Sequence, residues 1–139
     1  MIKITLATLA ASAVLLSAVP AFAAANSVGG KVYPLEAVGG SGEYGTVALK
    51  PMGLQTEVEI HVVNAPAGLI QTVHIHKGTC ASVDGPPVYP LSPLVDGTSS
   101  SVIDVPLDKL LTTPLVVHVH RSYKKELSSL ACASLSPQQ

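Results

Sequence analysis

The sequence has 139 residues, of which 47% are hydrophobic and 12% are charged, and its formal net charge at pH 7 is −1. A chain this small and this close to neutral lacks the basic surface typical of nucleic-acid binding, and it has no tryptophan on which bases could stack. We therefore expect one domain with no nucleic-acid partner and, after an apolar N-terminal run, no membrane span.

The first 23 residues predict a secretory signal peptide. Lys3 supplies a positive start, residues 4–19 are apolar or small, and Pro20 ends the run just before the small-x-small cleavage pattern Ala21-Phe22-Ala23. An uncleaved membrane anchor is the alternative, which the early proline and the lack of a positive flank disfavour. We expect residues 24–139 to be a single β domain in the periplasm or outside the cell.

Seven segments with alternating or continuous apolar residues predict β-strands in the remaining chain. In order they are residues 31–37, 44–49, 57–63, 70–76, 99–105, 114–120 and 130–135. Residues 107–111 predict a helical turn and residues 123–128 a polar connection. Residues 77–93 contain four prolines and predict a long irregular segment rather than a central strand. The pattern predicts an all-β fold, an antiparallel sandwich or Greek-key barrel of about seven or eight strands.

Four of the five histidines form two pairs spaced by two residues, His74 with His76 and His118 with His120. In a strand each pair lies on one face, with its members about 7 Å apart. The alternating residues Val73, Ile75, Val117 and Val119 then face the core. Neutral imidazoles on two neighbouring strands would suit copper, which lies at the top of the affinity order for divalent metals. The alternative is that all four are ordinary polar-face residues of amphipathic strands.

The fifth histidine, His61, lies in an alternating segment with Glu57 and Glu59, and we expect it to face solvent. The two cysteines, Cys80 and Cys132, suggest a disulfide because an even count is typical of exported proteins. Such a bond would close a loop of about 50 residues and stabilise the domain by roughly 4 kcal/mol. Two separate buried thiols are the alternative.

Four segments in this order resemble the copper/zinc superoxide dismutase superfamily, particularly its small exported bacterial relatives of the superoxide dismutase-like and CHRD type. They are residues 44–47, the glycine-to-HxH-to-cysteine run 68–80, residues 117–120 and Leu130-Ala131-Cys132. The resemblance implies a Greek-key barrel and a Cys80–Cys132 disulfide that pins the long loop to the barrel. It also implies copper ligation by His74, His76 and His120, with His118 as a fourth ligand or a neighbour.

Two departures from that family bear on the expected function. Residues 81–96 contain no histidine and only two carboxylates, Asp84 and Asp96, so no zinc site with about four ligands is expected there. Ser129 stands where the family has an arginine that guides superoxide. Arg121 follows His120, but its side chain is expected to face the opposite side of the strand.

Three functions follow from these observations. The first is an exported copper-binding protein for buffering or delivery, with weak or no dismutase activity and with a copper donor or acceptor protein as partner. The second is a copper-only superoxide dismutase. The third is an interaction module that binds no metal, since a β-sandwich fold does not determine function. Enzymatic activity and oligomeric state stay open.

Overall fold

The computed structural model describes residues 29–121 and 128–136. The predicted signal peptide (residues 1–23), residues 123–127 of the predicted connection and residues 137–139 lie outside the described residues. The described part comprises β1 (Lys31–Ala37), β2 (Tyr44–Met52), β3 (Gln55–Val63), β4 (Ile70–Thr79), β5 (Ser82–Pro90), β6 (Leu94–Val95), β7 (Thr98–Ile103), α1 (Leu107–Leu110), β8 (Leu115–His120) and β9 (Ser129–Leu135).

Strand β3 shows how the sequence pattern produces these elements. Its residues alternate between the two faces, so that Thr56, Val58, Ile60 and Val62 are buried while His61 is exposed. β3 follows β2 through a two-residue turn whose first residue, Gly53, has a φ of 64°. Glycine adopts that conformation without steric cost, which allows the tight hairpin that sets the register of both strands.

The strands form a closed antiparallel barrel. Eight strands follow one another in the order β4-β6-β7-β3-β2-β1-β9-β8, and β8 pairs with β4 to close the ring, while β5 lies outside it on β4. Within the barrel, β4, β6 and β7 lie side by side in the order in which they occur in the chain. β8 then crosses back to lie beside β4, which is a Greek-key arrangement. The predicted all-β Greek-key fold is confirmed, with eight barrel strands and one additional strand.

Alternation on β4 and β8 fills the barrel interior with aliphatic side chains. Val73 and Ile75 of β4 pack in the core with Val117 and Val119 of β8, each at most 1% exposed. The residues between them belong to the opposite, outer face of the same strand pair. The core therefore determines which face of the barrel carries the paired histidines.

Residues 77–93 differ from the prediction of an irregular segment. β4 continues through Thr79, and residues 82–90 form β5, which pairs with β4 alone among the described strands. Proline lacks the backbone N–H that a central strand needs for both neighbours, but an edge strand leaves one side unpaired. The prediction of irregularity was wrong because three of the four prolines lie in this edge strand, where they are tolerated.

A disulfide joins Cys80 to Cys132, with 5.8 Å between their Cα atoms. The pairing expected from the sequence is confirmed, and it connects the turn between β4 and β5 to strand β9. The backbone N–H of Cys80 also donates a hydrogen bond to Ser134 Oγ, at 2.9 Å. Within residues 29–121 and 128–136, no helix is long and apolar enough to cross a membrane.

Candidate metal centre

The pairing of β4 with β8 brings the four paired histidines together on the outer face. In the antiparallel register His74 lies opposite His118, and His120 lies opposite Thr72. Ring centroids of neighbouring histidines are 5.5–6.1 Å apart, from 5.5 Å for His74 and His120 to 6.1 Å for His76 and His120. The two HxH motifs, separated by more than 40 residues in sequence, thus form one cluster.

Three of these histidines are arranged so that they could share one metal ion. His74, His76 and His120 each offer a ring nitrogen, and the three atoms lie within 4.8 Å of one another. His118 is not in this group, although its ring centroid is 5.7 Å from that of His76 and 5.6 Å from that of His120. The structure therefore brings together the three residues that the sequence predicted as ligands and places His118 beside them.

The outer face of this strand pair is largely shielded from water. His76 and His118 are each 9% exposed and His120 is 5% exposed, while His74 is half-buried. Burial lowers the pKa of both His74 and His118 below the ordinary histidine value, and the neighbouring His76 lowers each further. Both rings are therefore neutral near pH 7, the form in which imidazole donates a lone pair to a metal.

A backbone carbonyl favours one tautomer of His76. Its Nδ1 lies 3.2 Å from the carbonyl oxygen of Gly85, and since that oxygen can only accept, Nδ1 carries the proton. In the neutral ring Nε2 then keeps its lone pair, and this atom is buried without a hydrogen-bond partner among the described residues. Metal-bound histidines show the same arrangement, in which one nitrogen binds the ion and the other donates to an oxygen.

His118 has the same feature on the neighbouring strand. Its Nε2 is also buried and has no hydrogen-bond partner in the described part of the chain. Buried polar atoms are rarely left unsatisfied, and each such atom calls for an explanation such as an ion or a water molecule. Two orphaned nitrogens in one histidine cluster fit a group that would accept their lone pairs.

A bulge in β5 places the carbonyl oxygen of Gly85 beside the ring of His76. The register passes from Tyr89 opposite Ile75 to Asp84 opposite Lys77, so that one residue of β4, His76, corresponds to the four residues 85–88 of β5. Gly85 has a φ of 74°, which only glycine adopts freely. The sequence analysis missed this contact, but the Gly-Pro-Pro run at residues 85–87 is the kind of signal that marks a bulge.

The other sequence-predicted positions do not belong to the group of converging histidines. His61 is exposed on β3, as expected, where its strand pairs with β2 and β7. Asp84 lies in β5, whereas Asp96 accepts a hydrogen bond from the backbone N–H of Gly68 at the far end of β4. Arg121 lines a cleft at the end of the barrel together with the inward side chain of Gln71.

Comparisons with protein-family models, curated proteins and solved structures return no match. They therefore do not identify a superoxide dismutase-like or CHRD family for this chain.

Proposed function

We propose that the protein binds copper through His74, His76 and His120 and serves as a copper-buffering or copper-delivery protein outside the cytoplasm. The observation that carries this proposal is the convergence of three imidazole nitrogens within 4.8 Å on a rigid pair of strands. The disulfide supports the compartment, since such bonds persist mainly in oxidising environments.

The donor set favours copper over other ions. The three residues supply only imidazole nitrogen, and the group contains no carboxylate of the kind that suits calcium, magnesium or manganese. Copper(II) also exceeds zinc(II) in affinity for nitrogen ligands. Copper, when bound, would supply one-electron redox chemistry at this face.

The chain's own residues would hold the ligands ready. Gly85 keeps His76 in the tautomer that leaves the lone pair on Nε2, and the buried valines beneath β4 and β8 fix the spacing of the rings. His118 lies close enough to act as an additional ligand or to exclude water from the site. This preorganisation supports binding without a large rearrangement.

Buffering or delivery is preferred to dismutation because of what surrounds the cluster. The rate of dismutation is raised by cationic side chains that attract superoxide to the metal. Arg121 instead lines a cleft with Gln71, a residue of the opposite strand face, and Ser129 stands at the position expected for a guiding arginine.

A metal titration tests this function. Purified wild-type protein should bind one equivalent of Cu(II). It should also bind one equivalent of Cu(I), measured in competition with a chelator. The double variant His74→Ala, His76→Ala should lose at least about 100-fold in affinity, since single supporting changes at metal sites already cost about 10- to 100-fold. His61→Ala, which removes an exposed imidazole from another strand, is the matched control and should bind as wild type does.

Two further outcomes separate the alternatives. Catalysed superoxide decay by the copper-loaded protein would select the copper-only dismutase. Equal copper binding by wild type and the double variant would reject the site and leave an interaction module as the explanation of the fold.

A further inference from the structure

A cleft of about 410 Å³ opens at one end of the barrel, beside the start of β4 and the start of β9. Its walls are mostly apolar, and Leu69 and Ile70 on its rim are 48% and 55% exposed. Polar side chains from three different parts of the chain also line it, namely Glu43, Gln71 and Arg121. Mostly apolar walls with a few converging polar groups are typical of small-molecule sites.

The carboxylate of Glu43 is buried in this cleft, and no cationic side chain of residues 29–121 and 128–136 forms an ion pair with it. Glu43 is 4% exposed and Gln71 is 3% exposed, and Gln71 Nε2 donates a hydrogen bond to Glu43 Oε2 at 2.8 Å. None of the ion pairs among the described residues involves Glu43. A buried carboxylate is stabilised by a cationic partner, so Glu43 presents an acceptor for a positively charged group.

Arg121 adds the opposite charge to the same cleft. Its guanidinium belongs to none of the ion pairs found in the described part of the chain. Glu43 would repel a ligand that is only anionic, and Arg121 would repel one that is only cationic. A ligand with both charges and a short apolar body satisfies all the groups at once, because arginine binds carboxylates well.

We propose that this cleft binds a small aliphatic zwitterion of the amino-acid class. The ligand's ammonium group would lie at Glu43 and Gln71, its carboxylate at Arg121, and its aliphatic part against Leu69, Ile70 and Leu130. The site uses no residue of the histidine cluster, and the inference stands whether or not copper binds.

Titration with L-leucine, followed by NMR or calorimetry at pH 7, tests the proposal. Leucine should bind saturably. Leucine amide lacks the carboxylate and 4-methylpentanoate lacks the ammonium group, and each should bind at least about tenfold more weakly, since a hydrogen bond to a charged group is worth this much.

Variants assign each charge to its partner. Arg121→Gln should weaken leucine at least about tenfold while leaving leucine amide unchanged, and Glu43→Gln should weaken leucine while leaving 4-methylpentanoate unchanged. Lys109→Gln, in α1, is the control and should have no effect. Absence of saturable leucine binding, or leucine binding by Arg121→Gln that equals wild type, overturns the proposal. Because Arg121 is exposed, that result is available even if the buried Glu43→Gln variant does not fold.

Discussion

Two outer faces of this barrel carry histidine, and they differ in what surrounds the ring. On β3, His61 is exposed, and its neighbours have ordinary surface partners: Glu59 pairs with Lys50 at 2.6 Å, and Glu57 accepts a hydrogen bond from Ser100. On β4 and β8 the rings are largely buried and cluster with one another.

Both faces arise from the same alternation of polar and apolar residues, so alternation alone does not reveal a metal site. On the β3 face the imidazole of His61 is exposed to solvent near carboxylates, and water can satisfy its ring nitrogens. The β4–β8 face shields its imidazoles from water and leaves the Nε2 atoms of His76 and His118 without a hydrogen-bond partner in the part of the chain that the structure describes. This combination of burial and unsatisfied lone pairs is the feature that supports the proposed metal site.

The largest expected effect comes from breaking the covalent link beside the histidine face. The double variant Cys80→Ser, Cys132→Ser should lower the free energy of unfolding by about 4 kcal/mol, because the unfolded chain regains the freedom of a long loop. Urea denaturation measures this change. Reduction of the wild type should give a similar loss, and unchanged stability in both experiments would contradict the structural role of the bond.

The next effect distinguishes the members of the histidine cluster. His120→Ala removes one of the three converging nitrogens and should weaken copper binding at least about 100-fold, whereas His118→Ala should weaken it less than about tenfold. Competition with a chelator of known affinity measures both. A greater loss from His118→Ala than from His120→Ala would show that the assignment of ligand and neighbour is reversed.

A smaller effect should follow from disturbing the carbonyl that orients His76. Gly85→Ala forces a side chain into a φ of 74°, which costs about 1–2 kcal/mol, and it should shift the Gly85 carbonyl enough to weaken copper binding about tenfold. Gly40→Ala is a matched control, because Gly40 has a φ of 72° and an added Cβ meets no neighbour at either position. Both variants should lose stability, but only Gly85→Ala should lose copper affinity; an equal loss of copper affinity would contradict the orienting role.

The smallest effect concerns pH in the metal-free protein. The pKa values of His74 and His118 are lowered in the folded state, so below about pH 6.5 the unfolded chain binds more protons than the folded one. The free energy of unfolding should therefore fall as the pH drops from about 7 through 6. Above that range the titration of these two histidines should not change it. Urea denaturation of the wild type and of the double variant His74→Gln, His118→Gln measures this change. The free energy of unfolding should depend less steeply on pH in the double variant. A steeper dependence in the variant would contradict the stated cause.

Much of the fold was predictable because its signals are local. The alternation of residues 57–63 and the apolar run of residues 114–120 identify two strands directly, and the HxH spacing places each pair of imidazoles on one face. The grouping of all four rings depends on β4 pairing with β8, a long-range contact that the sequence patterns suggest only through the family resemblance.

Other features escaped prediction because they depend on contacts between distant residues. The prolines of residues 82–90 indicate irregularity locally, and only the position of β5 at a sheet edge makes a strand possible there. The hydrogen bond between Glu43 and Gln71 joins residues 28 apart, neither of which stands out in the sequence. The burial of the histidine face is likewise invisible in the alternation that predicts an outer, polar face.

The measurement that tests the central claim most directly is the ligand set of copper in the loaded protein, determined by electron paramagnetic resonance and X-ray absorption spectroscopy. Wild type and His61→Ala should show the same coordination by at least three imidazole nitrogens, and His120→Ala should show one fewer. Identical spectra for wild type and His120→Ala, or copper that is removed by gel filtration, would contradict the account.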